Sequence, residues 1–114
     1  MVIISTIIYM KKLMEEFEFA GLRIKLFEED FAHAIENHPG EVTLLEIRNC
    51  IEHPDLVIKS IQEKNACLFY EMKIKDDYFV TVVHITGAGA GEVKTAYKTT
   101  YVKKGTILFK KEEK

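Results

Sequence analysis

Apolar residues recur along the chain with two different periods, and the change of period shows where predicted strands give way to predicted helices. Residues 17–27 alternate apolar and polar side chains around Gly21, which predicts a strand or a bent hairpin. The spacing then changes to three and four residues, which indicates the buried face of a helix. The members of this face are Phe31, Ala34, Ile35 and His38. Pro39 follows directly and predicts the end of the helix.

A second helix is predicted immediately afterwards. Thr43 and Glu46 stand at the spacing of a capping box, in which a hydroxyl accepts a hydrogen bond from the third residue of the helix. The apolar stripe that follows consists of Leu44, Ile47 and Ile51. Pro54 marks the end of this helix.

The rest of the chain has the pattern of β-strands. Residues 56–60, 66–75, 77–86, 92–101 and 105–110 are predicted strands, with a tight turn at Asp76-Asp77 and another in residues 87–91. We therefore predict an α+β domain spanning residues 1–114. Two N-terminal helices would pack on one face of a curved antiparallel sheet of four to five strands. The other face of this sheet would be at least partly open to a ligand.

Composition adds little to this picture, but the distribution of charge adds more. The chain has 114 residues, 47% hydrophobic and 30% charged, which is ordinary for one globular domain. The net charge is −2, yet residues 93–111 contain no acid and six lysines: Lys94, Lys98, Lys103, Lys104, Lys110 and Lys111. This segment could steer a polyanion to one face. Alternatively, it is a solvated lysine face that protects edge strands from aggregation.

The N-terminus and the cysteines suggest a cytoplasmic protein without a membrane anchor. The apolar run of residues 2–9 is far shorter than a membrane helix, and its lysines follow it, the reverse of a signal peptide. Residues 1–13 are expected to be an extension, an extra strand or the contact of a homodimer. Cys50 and Cys67 are expected to be free thiols.

Two familiar kinds of site are not expected. The glycines of residues 87–91 lack the lysine and hydroxyl of a phosphate-binding loop and precede no helix, so they predict a hairpin. The spacing of Cys50, His53, Cys67 and His84 matches no zinc pattern. We predict neither a metal nor another cofactor.

The unusual stretch of the chain is TAYKTTY, residues 95–101, which carries hydroxyls and lysines where strands usually carry aliphatic side chains. Strand alternation puts Thr95 and Tyr97 side by side, on the same face as Val93 and Thr99. Together with His33 or His38 and a lysine, this pair could cleave RNA without a metal. The alternatives are an exposed His33, a His38 that caps the helix, and a strand of ordinary β-forming residues.

Several segments resemble a known family, the phage-associated nuclease-like domains grouped with barnase, EndoU, the colicin RNases and RelE. They are FEEDFAHAIENHPGE, IEHPDLVIKS, YFVTVVHI, VKTAY and VKKGTILF, which lie within residues 24–110. The family shows a helical W-x-H-I…H-P-E, then P-D-x-V…S, then a late T-A-Y. In this chain Phe31 stands in place of the tryptophan, and Gly40 interrupts the H-P-E motif.

The resemblance implies a barnase- or RelE-like fold and metal-independent cleavage of RNA, as a toxin or phage effector. It also implies an antitoxin or immunity protein as a partner. Position by position, the catalytic residues would be His33, His38, Thr95 and Tyr97, and the lysines that bind substrate would be Lys94, Lys98 and Lys103. A catalytically inactive module that binds RNA or protein is the alternative.

Overall fold

The computed structural model describes residues 11–112, which form seven strands and two helices. The elements are β1 (Leu13–Phe19), β2 (Leu22–Phe27), α1 (Glu28–Asn37), α2 (Leu44–Glu52), β3 (Leu56–Ser60), β4 (Ala66–Ile74), β5 (Asp77–Gly87), β6 (Ala90–Thr99) and β7 (Gly105–Lys110). The extra strand and the dimer contact expected in the apolar run of residues 2–9 lie outside the described residues.

All seven strands belong to one mixed sheet in the order β1-β2-β6-β5-β4-β3-β7. β2 runs parallel to β6, and every other neighbouring pair is antiparallel. The predicted fold class was therefore wrong. Two strands precede the helices, and the sheet is neither antiparallel throughout nor limited to five strands. The error arose because residues 17–27 join the sheet by pairing with a strand more than 60 residues away, which local periodicity does not reveal.

Two tight turns hold the first hairpin against the rest of the sheet. Ala20 and Gly21 have φ of 49° and 82°, so the hairpin reverses through the left-handed region. The backbone N–H of Arg23 donates to the carbonyl of Gly89, in the turn between β5 and β6, at 2.9 Å. The start of β2 is thereby fixed beside the start of β6.

The second helix forms as predicted at its N-terminus and along its buried stripe. The Glu46 N–H donates to the Thr43 hydroxyl at 3.1 Å, and Ile47 and Ile51 are buried. The Glu46 carboxylate does not close a capping box, because it pairs with Lys73 at 2.6 Å. With 10 and 9 residues, neither helix in the described part of the chain is long and apolar enough to cross a membrane.

The first helix is less deeply packed than predicted. Ala34 is buried, but Ile35, which the pattern placed on the same apolar face, is 40% exposed. α1 packs mainly against β2 and β6, at the place where these two strands diverge. It therefore covers the β2–β6 side of the sheet rather than its centre, and only Ala34 of its predicted stripe is fully buried.

The face of the sheet opposite the helices has its own apolar cluster: Ile58, Ala66, Leu68, Tyr70, Val80 and Val82. Residues 100–104, here called the strap, cross this face because β6 and β7 lie on either side of β5, β4 and β3. Val102 of the strap packs on the cluster. The Lys103 N–H donates to the Tyr70 hydroxyl at 3.0 Å. The sheet face that was expected to be open is therefore crossed by the strap, which is attached to that face through Val102 and the Tyr70 hydroxyl.

Candidate functional site

The end of α1 brings a histidine against the tyrosine of the TAY segment. His38 is the C-cap of the helix, and its N–H donates to the Ala34 carbonyl at 2.9 Å. Its imidazole stacks on the phenol ring of Tyr97, with ring centroids 5.1 Å apart and an angle of 26° between the planes. Both side chains are half-buried, so the paired rings remain accessible to a ligand.

A β-bulge determines which side chains of β6 lie beside this pair. Val82 pairs with Thr95 and Val83 with Val93, so Lys94 is an additional residue in β6. The bulge turns Val93 into the core under the helices, whereas Thr95 and Tyr97 lie on the opposite face. The prediction that Val93 shares a face with Thr95 was therefore wrong, because simple alternation does not hold across a bulge.

Glu41, which the sequence did not single out, fixes the loop that carries His38. Its Oε1 accepts a hydrogen bond from the backbone N–H of Lys98 at 2.9 Å, and its own N–H donates to the carbonyl of His38 at 3.1 Å. Gly40, with φ of 77°, provides the left-handed turn between them. The signal that could have revealed Glu41 is the glycine that interrupts H-P-E, since it lets the chain turn back onto β6.

His33 does not join the stacked pair through any contact among residues 11–112. It lies on the exposed side of α1, where the described residues give it no hydrogen bond or ion pair. In an α-helix, side chains five positions apart, as those of His33 and His38 are, point about 140° away from each other. The two predicted catalytic histidines therefore occupy different surroundings.

The three predicted lysines are exposed and lie at separate places. Lys98 follows Tyr97 directly and lines a depression together with Glu41 and Tyr78. Lys94 lies at the bulge, in a polar depression that also contains Asp30. Lys103 is on the strap, and its N–H is bonded to the Tyr70 hydroxyl. Lys98 is the lysine adjacent in sequence to the stacked pair.

Two further tyrosines, Tyr70 and Tyr78, lie on the same sheet face as Tyr97, and Tyr70 was not predicted to belong to the site. Tyr70 is buried and lies edge-to-face against Tyr78, with centroids 5.9 Å apart. Burial raises the pKa of the Tyr70 phenol, the Lys103 N–H lowers it, and the neighbouring Tyr97 and Tyr101 raise it. Tyr70 therefore remains a neutral hydroxyl near pH 7 and acts as an anchor for the strap.

Two other reactive side chains, Cys50 and His84, have partners away from the stacked pair. Burial raises the pKa of Cys50 to about 12, and its thiol donates to the carbonyl of Phe69 at 3.0 Å. A thiol with this pKa is protonated at neutral pH and is not a nucleophile. His84 pairs with Glu63 at 3.5 Å, toward the far end of β5 from Tyr78. The His38–Tyr97 pair is thus the strongest candidate site.

The chain was also compared with known proteins. No protein-family model, curated protein or solved structure matches it.

Proposed function

We propose that this chain is a metal-independent endoribonuclease-like domain. It would cleave RNA by attack of a ribose 2′-hydroxyl on the adjacent phosphate. The observation that supports the proposal is the stack of His38 on Tyr97, because it combines a proton-transfer group and a hydroxyl donor on one accessible surface. Thr95 lies on the same face of β6 as Tyr97 and adds a second hydroxyl.

In the proposed reaction His38 removes the proton from the 2′-hydroxyl. The new bond between the 2′-oxygen and phosphorus forms as the bond to the 5′-oxygen breaks, and the departing oxygen takes a proton from water. Tyr97 and Thr95 donate hydrogen bonds to the phosphoryl oxygens, which carry more charge in the transition state. Lys98 leaves β6 on the opposite face from Tyr97, so it would supply positive charge to the phosphate from around the strand edge. Lys94 and Lys103 would contact the backbone of the same RNA molecule.

A binding module without turnover is the second candidate, and Glu41 favours it. Its carboxylate is bound to the Lys98 backbone, so a negative charge lies next to the surface where a phosphate would approach. Such a module would bind RNA or protein through the lysines of residues 93–111. We further infer, from the motif resemblance alone, a cytoplasmic toxin or phage effector that is held by an antitoxin or immunity protein.

The decisive experiment incubates the purified protein with RNA in excess chelator and identifies the ends that are produced. Wild type is expected to leave 2′,3′-cyclic phosphates. His38→Ala is expected to lose about 100-fold or more in rate, the usual contribution of a general base. His53→Ala is the matched control, because His53 is the exposed C-cap of α2 as His38 is the C-cap of α1. It is expected to cleave like wild type.

Two further variants assign the roles. Tyr97→Phe keeps the stacked ring but removes the hydroxyl, so it is expected to lower the rate while binding is retained. His33→Ala separates the contributions of the two histidines. Equal cleavage by wild type and His38→Ala would refute the assignment to His38, and RNA binding without cleavage would support the binding module.

A further inference from the structure

A second concave surface lies on the same sheet face, at the end of β7. It is a cavity of about 650 Å³ between the strap and the last described residues. Tyr70, Tyr78 and Met72 line it from the sheet, and Val102 lines it from the strap. Lys110 and Lys111 also line it. The cavity is therefore large enough for a nucleotide, and aromatic, apolar and lysine residues line it.

Hydrogen bonds of Asp55 hold the walls of this cavity in place without a ligand. Its carboxylate accepts a hydrogen bond from the Met72 N–H at 2.7 Å. Its backbone N–H donates to the Tyr70 carbonyl, and its carbonyl accepts from the Lys111 N–H, both at 2.9 Å. One residue thereby joins β3, β4 and the end of β7. Walls fixed in this way bind a ligand without the cost of ordering a loop.

The chemistry of the cavity fits a flat aromatic ring that carries an anionic group. Tyr78 is half-buried and edge-to-face with Tyr70, which leaves ring surface for stacking. Lys110 and Lys111 can contact a phosphate, and an oxygen of the Asp55 carboxylate can accept an N–H from a base edge. Glu112 also lines the cavity and offsets part of the lysine charge, so stacking rather than net charge would provide most of the affinity.

The cavity also adjoins the stacked pair. Tyr78 pairs with Thr99, and Val80 pairs with Tyr97, so the two tyrosines are diagonal neighbours on adjacent strands. Diagonal positions of this kind are roughly 7–8 Å apart. One RNA strand could therefore place a phosphate at Tyr97 and a neighbouring base beside Tyr78.

We propose that this cavity binds a nucleobase of single-stranded RNA, stacked on Tyr78, as the subsite next to the scissile phosphate. Its position relative to the phosphate rests on the proposed function, whereas binding of the base does not. A 2′-O-methyl RNA hexamer separates the two, because it lacks the attacking hydroxyl and cannot be cleaved. Binding of a fluorescently labelled hexamer is measured by anisotropy.

Tyr78→Leu is expected to weaken hexamer binding about tenfold or more, within the usual range for one base stacked on an aromatic side chain. Tyr101→Leu is the matched control, since Tyr101 is a strap tyrosine that is 63% exposed and does not line the cavity. It is expected to bind within twofold of wild type. Lys111→Glu leaves the sheet residues intact and is expected to weaken binding, so the test does not depend on how Tyr78→Leu folds.

The outcomes distinguish this inference from the proposed function. Hexamer binding that depends on Tyr78, in a protein that does not cleave RNA, supports the base site and refutes the nuclease. Cleavage that depends on His38, with equal hexamer binding by wild type and Tyr78→Leu, overturns the base site alone. Absence of hexamer binding to wild type overturns it as well. Adenosine and uridine monophosphates that bind as tightly as the hexamer would identify the ligand as a free nucleotide and overturn the RNA subsite.

Discussion

The carboxylate of Glu41 accepts a hydrogen bond from the backbone N–H of Lys98, and this 2.9 Å contact joins the loop after α1 to an edge of β6. Without Glu41 the Lys98 N–H would be free to bond to water or to a strand of another molecule, because β2 pairs with β6 only at Ala90, Gly91 and Glu92. The same contact holds the segment that carries His38 close to Tyr97.

Glu41→Ala should loosen that segment. Loss of a partly exposed hydrogen bond to a carboxylate is expected to lower the free energy of unfolding by about 1 kcal/mol. The His38 ring protons should also lose the shift that the Tyr97 ring current causes, as measured by NMR. Glu41→Gln is the matched control, because its amide oxygen can still accept the bond. Unchanged His38 shifts in Glu41→Ala would show that the loop is positioned by other contacts.

Tyr70→Phe should release the strap without emptying the core. The variant keeps the buried ring but removes the hydroxyl that accepts from the Lys103 N–H. Hydrogen exchange at the Lys103 amide is therefore expected to become faster, while the amides of β4 keep their protection. Tyr101→Phe removes a hydroxyl from an exposed tyrosine and should leave the exchange at Lys103 unchanged. Equal Lys103 exchange in wild type and Tyr70→Phe would contradict the tether.

Gly105→Ala should weaken the pairing of β7 with β3. A Cβ at this position would overlap with the carbonyl oxygen of Lys59 and with Cγ2 of Ile58. Relief of this overlap requires the strands to shift, with an expected loss of about 1–3 kcal/mol in urea denaturation. Gly87→Ala is the control, because no atom lies within 4 Å of its Cβ position, and it should change stability by at most about 0.5 kcal/mol. Similar losses in both variants would argue against a tight contact at Gly105.

Stability should fall at alkaline pH because of Cys50. Burial raises its pKa from near 9 to about 12, so the folded state holds its proton at pH values where the unfolded state loses it. The stabilisation is complete below pH 9 and declines above it, by up to about 1.4 kcal/mol per pH unit until about pH 12. Urea denaturation from pH 8 to 11 should show a shallower decline in Cys50→Ala than in wild type.

Cys67→Ala serves as the comparison for this measurement, because it leaves the more strongly shifted thiol in place. It should retain most of the wild-type decline. If the free energy of unfolding falls with pH equally in wild type and Cys50→Ala, groups other than Cys50 cause the loss of stability at alkaline pH.

Local sequence patterns predicted the elements that depend on neighbours along the chain. The Thr43 cap and the buried Ile47 and Ile51 follow from side-chain spacing within one helix. The turn at Asp76, where φ is 64°, and the glycine turn between β5 and β6 follow from residues that tolerate the left-handed region. In each case the residues that determine the structure lie within a few positions of it.

For the candidate site, motif resemblance predicted the set that contains His38 and Tyr97 but not its geometry. Strand alternation placed Thr95 and Tyr97 together correctly, and failed at Val93 because of the bulge at Lys94. Glu41 and Tyr70 were missed because their roles arise from partners 57 and 33 residues away.

The sequence by itself therefore determined the two helices, the strands that follow them and most of the turns, but it left residues 17–27 open between a strand and a bent hairpin. Only the tertiary structure decided that β2 runs parallel to β6, that the strap crosses the second face, and that an imidazole stacks on Tyr97. Hydrophobic periodicity indicates which side of a helix or strand is buried. The choice of partner depends on packing and hydrogen bonds between residues far apart in the chain, and no local pattern encodes it.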